Sequence, residues 1–284
     1  MKQHEIPGHV TFSEGHGGLI KLTVETEWST AEIYLQGAHI TRFQKKGDTP
    51  LLFVSDESEF IAGKAIRGGV PIIFPWFGGR EGFPAHGFAR TSEWSLEESS
   101  VLSDGVVMLR FRLPTIDALD VDFVVHVGEQ LTMELLVRNS GIQDAIFETC
   151  LHTYFKIGAI HSISIKGLSG CSYLDKVLDG TFTEISDSIR IESEVDRVYF
   201  DTTAAIEITD TQLRRKILVT KSGSNSTVVW NPWIAKSQRM PDFGNEEYLQ
   251  MVCVESGNIA ADRITLSPGS QAILKVKLAS EPLP

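Results

Sequence analysis

Two residues of complementary acid–base character stand far apart in the chain, each inside a strongly apolar stretch. His152 lies within residues 148–155 (Glu-Thr-Cys-Leu-His-Thr-Tyr-Phe), and Glu255 lies within residues 252–258 (Val-Cys-Val-Glu-Ser-Gly-Asn). Burial and a nearby charge move an imidazole or a carboxylate toward a working pKa, so a histidine on one strand and a glutamate on another can form an acid/base couple. For His152 taken alone, a buried imidazole satisfied by a backbone carbonyl is the commoner case, and a glutamate at a strand end is equally ordinary.

The segment 65–79 (Ala-Ile-Arg-Gly-Gly-Val-Pro-Ile-Ile-Phe-Pro-Trp-Phe-Gly-Gly) is the most unusual in the chain. Its prolines remove ladder donors and its glycines permit unusual backbone angles, so it reads as a shaped wall rather than a central strand. Trp76 and Phe77 offer flat apolar faces on which a sugar ring can stack, with core packing the competing role. Arg67 offers a planar fork suited to phosphate or carboxylate, and the two glycines beside it allow close backbone approach. His86 and Arg90 lie four residues apart just beyond, as donors when protonated or as plain loop residues. Asp196 is a candidate acceptor for a hydroxyl-rich ligand. Lys236, Arg239 and Asp242 fall in a polar loop, 234–247, whose length suits the rim of a site.

The elements that must carry these residues are strands. Apolar and polar residues alternate from Leu19 and again from Ala31, which is the period of half-buried strands. Three long strands follow over 106–113, 121–127 and 131–138, with Asp104-Gly105 and Gly128-Glu129 as hairpin signals. Shorter strands are expected at 51–54, 162–165, 181–183, 190–191, 195–200, 205–208, 216–220, 264–266 and 272–278, and 55–64 is a polar connection with room for one helical turn. The alternation puts Glu148, Cys150, His152 and Tyr154 on one face, and Phe147, Thr149, Leu151, Thr153 and Phe155 on the other. Pro232 ends the strand begun at Thr227. With about twenty strands, almost no helical periodicity, no repeat and no linker, the chain is expected to form one all-β domain over 1–284, a large antiparallel sandwich with very little helix.

Composition narrows the function. The 284 residues are 42% hydrophobic and 22% charged, enough for a full core. A net charge of −11 argues against a nucleic-acid surface, since the longest basic run is Arg214-Arg215-Lys216. Cys150, Cys171 and Cys253 form no CxxC pair, which fits a reducing compartment and offers no zinc site. His4, His9 and His16 sit among glycines without a rigid element, so no metal is expected there either. Met1 is followed by Lys2-Gln3-His4-Glu5 rather than a signal-like n-region, and no apolar stretch approaches 18 residues; neither export nor a spanning helix is expected, and the cytoplasm is the expected location.

The motifs at 66–78, 86–90 (His-Gly-Phe-Ala-Arg), 151–155, 195–199, 229–233 and 254–258 together resemble the hexose-6-phosphate mutarotases, or glucose-6-phosphate 1-epimerases, of the galactose-mutarotase-like superfamily. They fall in one order over nearly the whole chain. The resemblance implies a β-supersandwich with an open cleft, Glu255 as general base and His152 as general acid, the first ionised and the second cationic, and no cofactor. It further implies Arg67 as phosphate ligand, Arg90 and His86 as the next contacts, Asp196 as a holder of sugar hydroxyls and Lys236 as a further cation. The loop 80–85 is shorter than in many relatives. The expected partner is a small hexose 6-phosphate, with no nucleic acid or membrane, and a monomer is expected. An aldose 1-epimerase for unphosphorylated sugars and a non-catalytic sugar-phosphate-binding module remain as alternatives.

Overall fold

The computed structural model describes residues 2–283. Among them are 22 strands and a single α-helix, Trp233–Ser237. Two eight-stranded antiparallel sheets form the body, with a four-stranded sheet over residues 10–45 and a two-stranded ribbon beside them. One large sheet contains the long strands Val107–Ile116, Leu119–Val127, Leu131–Asn139 and Gln271–Pro282. The other contains Val195–Tyr199, Ser226–Asn231, Met251–Asn258, Thr149–Leu151 and the short Ile72–Ile73. This is the antiparallel all-β architecture expected from the alternation.

The main core uses one face of each large sheet. Phe111, Phe123, Val125 and Leu135 from the first pack in the same buried cluster as Leu151, Phe155, Val229, Val252 and Val254 from the second. A second, smaller cluster covers the opposite face of the second sheet, with Cys150, Tyr154, Val228, Trp230, Met251 and Cys253. The strand Met251–Asn258 is therefore buried along its whole length. Its odd-numbered residues from Met251 to Glu255 face the smaller cluster, and its even-numbered valines face the main core, as strand periodicity requires.

The His152 strand pairs with this one in two pieces. Thr149–Leu151 pairs in the register Thr149↔Asn258 and Leu151↔Ser256, and Tyr154–Lys156 pairs in the register Tyr154↔Cys253. Both pieces keep one register, so His152, in the break between them, falls opposite Glu255. At the break the backbone N–H of His152 donates to the Pro71 carbonyl (3.0 Å) instead of to the neighbouring strand. The wall segment thus replaces a ladder partner. Gly68 and Gly69 make that approach feasible: both have positive φ (115° and 62°), and a Cβ on Gly69 would lie 2.3 Å from the Ile40 carbonyl oxygen.

Several expected elements take other forms. Residues 51–54 make isolated bridges, Leu52↔Phe155 and Val54↔Gly68, and 190–191 is replaced by the bridge Ile165↔Ile189. Residues 55–64 form turns without a helix, and the rim loop after Pro232 opens with the short helix Trp233–Ser237. In each case the segment follows non-local partners that local alternation does not encode.

Gly257 tests the register. A Cβ there would lie 2.4 Å from the Thr149 carbonyl oxygen and 2.7 Å from the Cys150 Cβ, so Gly257→Ala must separate the two strands that carry His152 and Glu255. Overpacking of this kind costs about 1–3 kcal/mol. We expect the melting temperature in a thermal scan to fall by roughly 5 °C; an unchanged value would contradict the register.

Candidate active site

The two titratable residues meet at the floor of a cleft of about 320 Å³ whose lining includes Arg67, Phe77, His86, His152, Tyr154, Lys176, Asp196, Trp230, Lys236, Met240 and Glu255. His152 Nε2 lies 3.2 Å from Glu255 Oε1. Glu255 is only 1% exposed and His152 9%. The imidazole is held by rings on three sides: Tyr154 stacks on it at 4.8 Å and 14°, while Trp230 and His86 meet it edge-on at 6.0 and 5.8 Å. Its Nδ1 is buried without a hydrogen-bond partner. On the far side of the carboxylate, the Cys150 thiol donates to Glu255 Oε2 at 3.5 Å.

Burial dominates the electrostatics of both groups. It pushes the Glu255 carboxyl well above its ordinary 4.5, and the nearby Asp196 charge adds to the rise, while Lys176 opposes it. It pushes His152 well below 6.5, with His86, Arg90 and Arg67 adding to the fall. Burial therefore works against the expected pair of imidazolium and carboxylate, since it disfavours the charged form of each group.

Burial acts on His86 in the same way. Its Nδ1 accepts the Gly78 N–H at 3.2 Å, so Nε2 carries the hydrogen. Burial, then the charges of Arg90, Lys176 and Arg67, press its pKa down to about 3. It is a neutral donor at the cleft wall, and its charge is absent at physiological pH.

Arg67 is held in place before any ligand arrives. Its Nε and Nη2 donate to the two carboxylate oxygens of Asp242 (3.1 and 3.2 Å), and Nη1 donates to the Tyr154 hydroxyl (3.2 Å). A guanidinium has five N–H groups, so one on each terminal nitrogen stays open. Asp196 stands between two lysines, 3.7 Å from Lys176 Nζ and 3.6 Å from Lys236 Nζ, and Lys236 is itself held by Glu194 at 3.1 Å.

Two expected contacts lie off the cleft. Trp76 faces away from it, with its indole N–H donating to the Pro84 carbonyl (3.1 Å) and its ring packed against Phe83 and Phe88. Phe77, one residue on, presents its face to the cleft instead. Arg90 stands behind the wall, with Nη2 donating to the Ala85 carbonyl at 2.8 Å and Nε buried without a partner; it reaches the site through its charge. None of residues 80–85 is among the lining. Lys176, Tyr154, Trp230 and Asp242 complete the site. Glu148 anchors the wall, accepting from the backbone N–H groups of Phe77 (2.8 Å) and Ala260 (2.7 Å).

Among the described residues, His152, Cys253 and Glu255 bring three potential metal-ligating atoms within 4.8 Å of one another. In the metal-free site burial, and then Glu255, push the Cys253 thiol well above its ordinary range. The arrangement suits proton transfer between two adjacent atoms of one small ligand: a base and an acid side by side, closed below by Cys150 and Cys253 and ringed above by cations.

The sequence pattern of the aldose 1-epimerase family matches residues 20–278. A protein of Cenchrus ciliaris provisionally named a glucose-6-phosphate 1-epimerase is 33% identical over 279 residues, covering 89% of this chain and 82% of its own. A protein of Escherichia coli K12 with the same provisional name is 36% identical, over 80% of this chain and 79% of its own. The crystal structure of a provisionally assigned mutarotase from Salmonella typhimurium superposes with a TM-score of 0.90 at 28% identity, covering 98% of this chain and 96% of that one. The site geometry, the all-β fold and these likenesses agree, and the chain belongs to the aldose 1-epimerase family.

Proposed function

We propose that this enzyme interconverts the α and β anomers of glucose 6-phosphate, and of related hexose 6-phosphates, by acid/base ring opening at His152 and Glu255. The observation that carries the reading is the 3.2 Å contact between these side chains at the floor of a cleft with cations around it. Glu255 takes the proton of the C1 hydroxyl while His152 gives one to the ring oxygen; the C1–O5 bond breaks as C1=O forms. Rotation about C1–C2 exposes the other carbonyl face, and closure returns both protons. Water alone performs this conversion slowly, so positioning and concerted proton transfer suffice as catalysis.

The pair holds one proton in its working state. Burial favours that proton on Glu255, whereas catalysis needs it on His152. A phosphate dianion on Arg67 offsets one of the charges that depress His152, so the phosphorylated substrate itself favours the imidazolium. An unphosphorylated sugar lacks this effect, which supports the hexose-phosphate reading over a general aldose 1-epimerase. The names of the relatives support it too. Lining residues drawn from positions 67 to 255 support one catalytic domain over 1–284 acting on a small molecule. No helix among the described residues is long and apolar enough to cross a membrane.

Two variants check the reading. In Arg67→Ala, loss of a charge-assisted contact should raise KM for glucose 6-phosphate about tenfold or more while changing that for glucose less than about threefold; equal effects on both would favour the general epimerase. In Glu255→Gln, kcat should fall by at least about 100-fold while stability rises. At pH below 4.5 the folded and unfolded carboxyls are both protonated. As pH rises past that value the unfolded side chain ionises while the buried one does not, so wild-type stability declines until the raised folded pKa is passed. Glutamine has no such dependence, and the variant's melting temperature should exceed that of wild type by about 2 °C or more at pH 8 and by less at pH 4. A difference independent of pH would contradict the raised carboxyl pKa of the folded state.

A further inference from the structure

Lys176 is the cation of the cleft with the fewest commitments. It follows the strand Ser172–Asp175 at the cleft rim, and its ammonium stands 4.6 Å over the Phe77 ring. Arg67 and Lys236 are tied to carboxylates at 2.9 and 3.1 Å. The carboxylate neighbour of Lys176 is Asp196, at 3.7 Å, outside hydrogen-bond range and shared with Lys236. Its side chain is 35% exposed. None of the described side chains accepts a hydrogen bond from its three N–H donors.

The order of charges along the cleft matches the order of atoms in the substrate. Across the sheet His152 stands on one side of Glu255, and on the other side the strands run Ser226–Asn231, Val195–Tyr199 and Ser172–Asp175, which bring Asp196 and then Lys176. A hexopyranose 6-phosphate reads phosphate, C6, C5, ring oxygen, C1 and anomeric oxygen. With the phosphate at Arg67 and the ring oxygen at His152, the anomeric oxygen lies at Glu255, and beyond it stands Lys176, the lysine not tied to Glu194.

We propose that Lys176 is a further catalytic residue, whose ammonium donates to the anomeric oxygen O1 and stabilises the negative charge that develops there as its proton leaves. This rests on the anomer-interconversion reading above. The proton of O1 passes to Glu255, the C1–O1 bond gains double-bond character as the electron pair of C1–O5 moves to O5, and O5 takes its proton from His152. Lys176 keeps its own proton throughout. Its hydrogen bond strengthens between the bound sugar and the transition state, which is the condition for acceleration. A buried donor to an oxyanion contributes about 10²–10³ in kcat, and the partial exposure of Lys176 places it at the lower end.

The test is steady-state mutarotation of freshly dissolved α-glucose 6-phosphate, and separately of glucose, by wild type, Lys176→Met and Lys176→Arg across pH 6 to 9. Methionine keeps the apolar stem over Phe77 and removes the charge. We expect kcat of Lys176→Met to fall roughly 10- to 100-fold for both sugars, with KM changed less than about threefold, the loss persisting across the pH range, and Lys176→Arg recovering part of it. A tenfold rise in KM for the phosphate ester alone at unchanged kcat would make Lys176 a phosphate anchor and overturn the proposal. So would recovery of Lys176→Met at alkaline pH, which would mean that the lysine only tunes Glu255, and so would wild-type kinetics. A wild type that fails to accelerate glucose 6-phosphate would remove the functional reading and the role of Lys176 together, whereas a fast wild type with an equally fast Lys176→Met removes the role alone.

Discussion

Everything at the site depends on the register between two strands buried on both faces. The strand Met251–Asn258 has no solvent side, so Glu255 cannot relieve its position by turning outward. The break after Leu151 then sets His152 opposite it, because the pairing on either side of the break keeps one register. A carboxylate placed there would be costly in isolation. The Cys150 thiol and the imidazole at 3.2 Å are what make it tolerable, and they also make it reactive.

The same burial sets the electrostatic character of the enzyme. Both members of the couple are pushed toward their neutral forms, and the cationic end of the cleft accounts for part of the push on His152. On the proposed reading, such a site holds its working charge separation in reserve until a phosphate dianion arrives. Arg67 is braced by Asp242 and Tyr154, and Lys236 by Glu194, so most of the cations are positioned before binding and little ordering is left to the substrate. A chain of net charge −11 in this way gathers three cations, Arg67, Lys176 and Lys236, at one cleft.

Much of this was legible in the sequence, and the rest was hidden for definable reasons. Alternation over 147–155 correctly separates Cys150 and Tyr154 from Phe147, Leu151 and Phe155, which enter different clusters. The glycine pair at 68–69 marked the wall. Alternation does not specify which strand pairs with which, so the apposition of His152 and Glu255 came only from the ordered motifs. In the irregular wall no period exists to decide which of two adjacent aromatics faces inward, and of Trp76 and Phe77 it is Phe77 that lines the cleft. Lys176 follows the end of a short strand with no pattern around it, and its importance arises from Phe77 and Asp196, far away in the chain. The protonation of the couple depends on how completely both groups are buried, a property of the assembled sheets and not of any segment.

The most direct measurement is magnetisation exchange between the α and β C1 protons of glucose 6-phosphate at anomeric equilibrium. The account predicts an exchange rate that rises linearly with wild-type enzyme and returns to the buffer value with His152→Ala. Exchange at the buffer rate at every wild-type concentration, or undiminished exchange with His152→Ala, would contradict it.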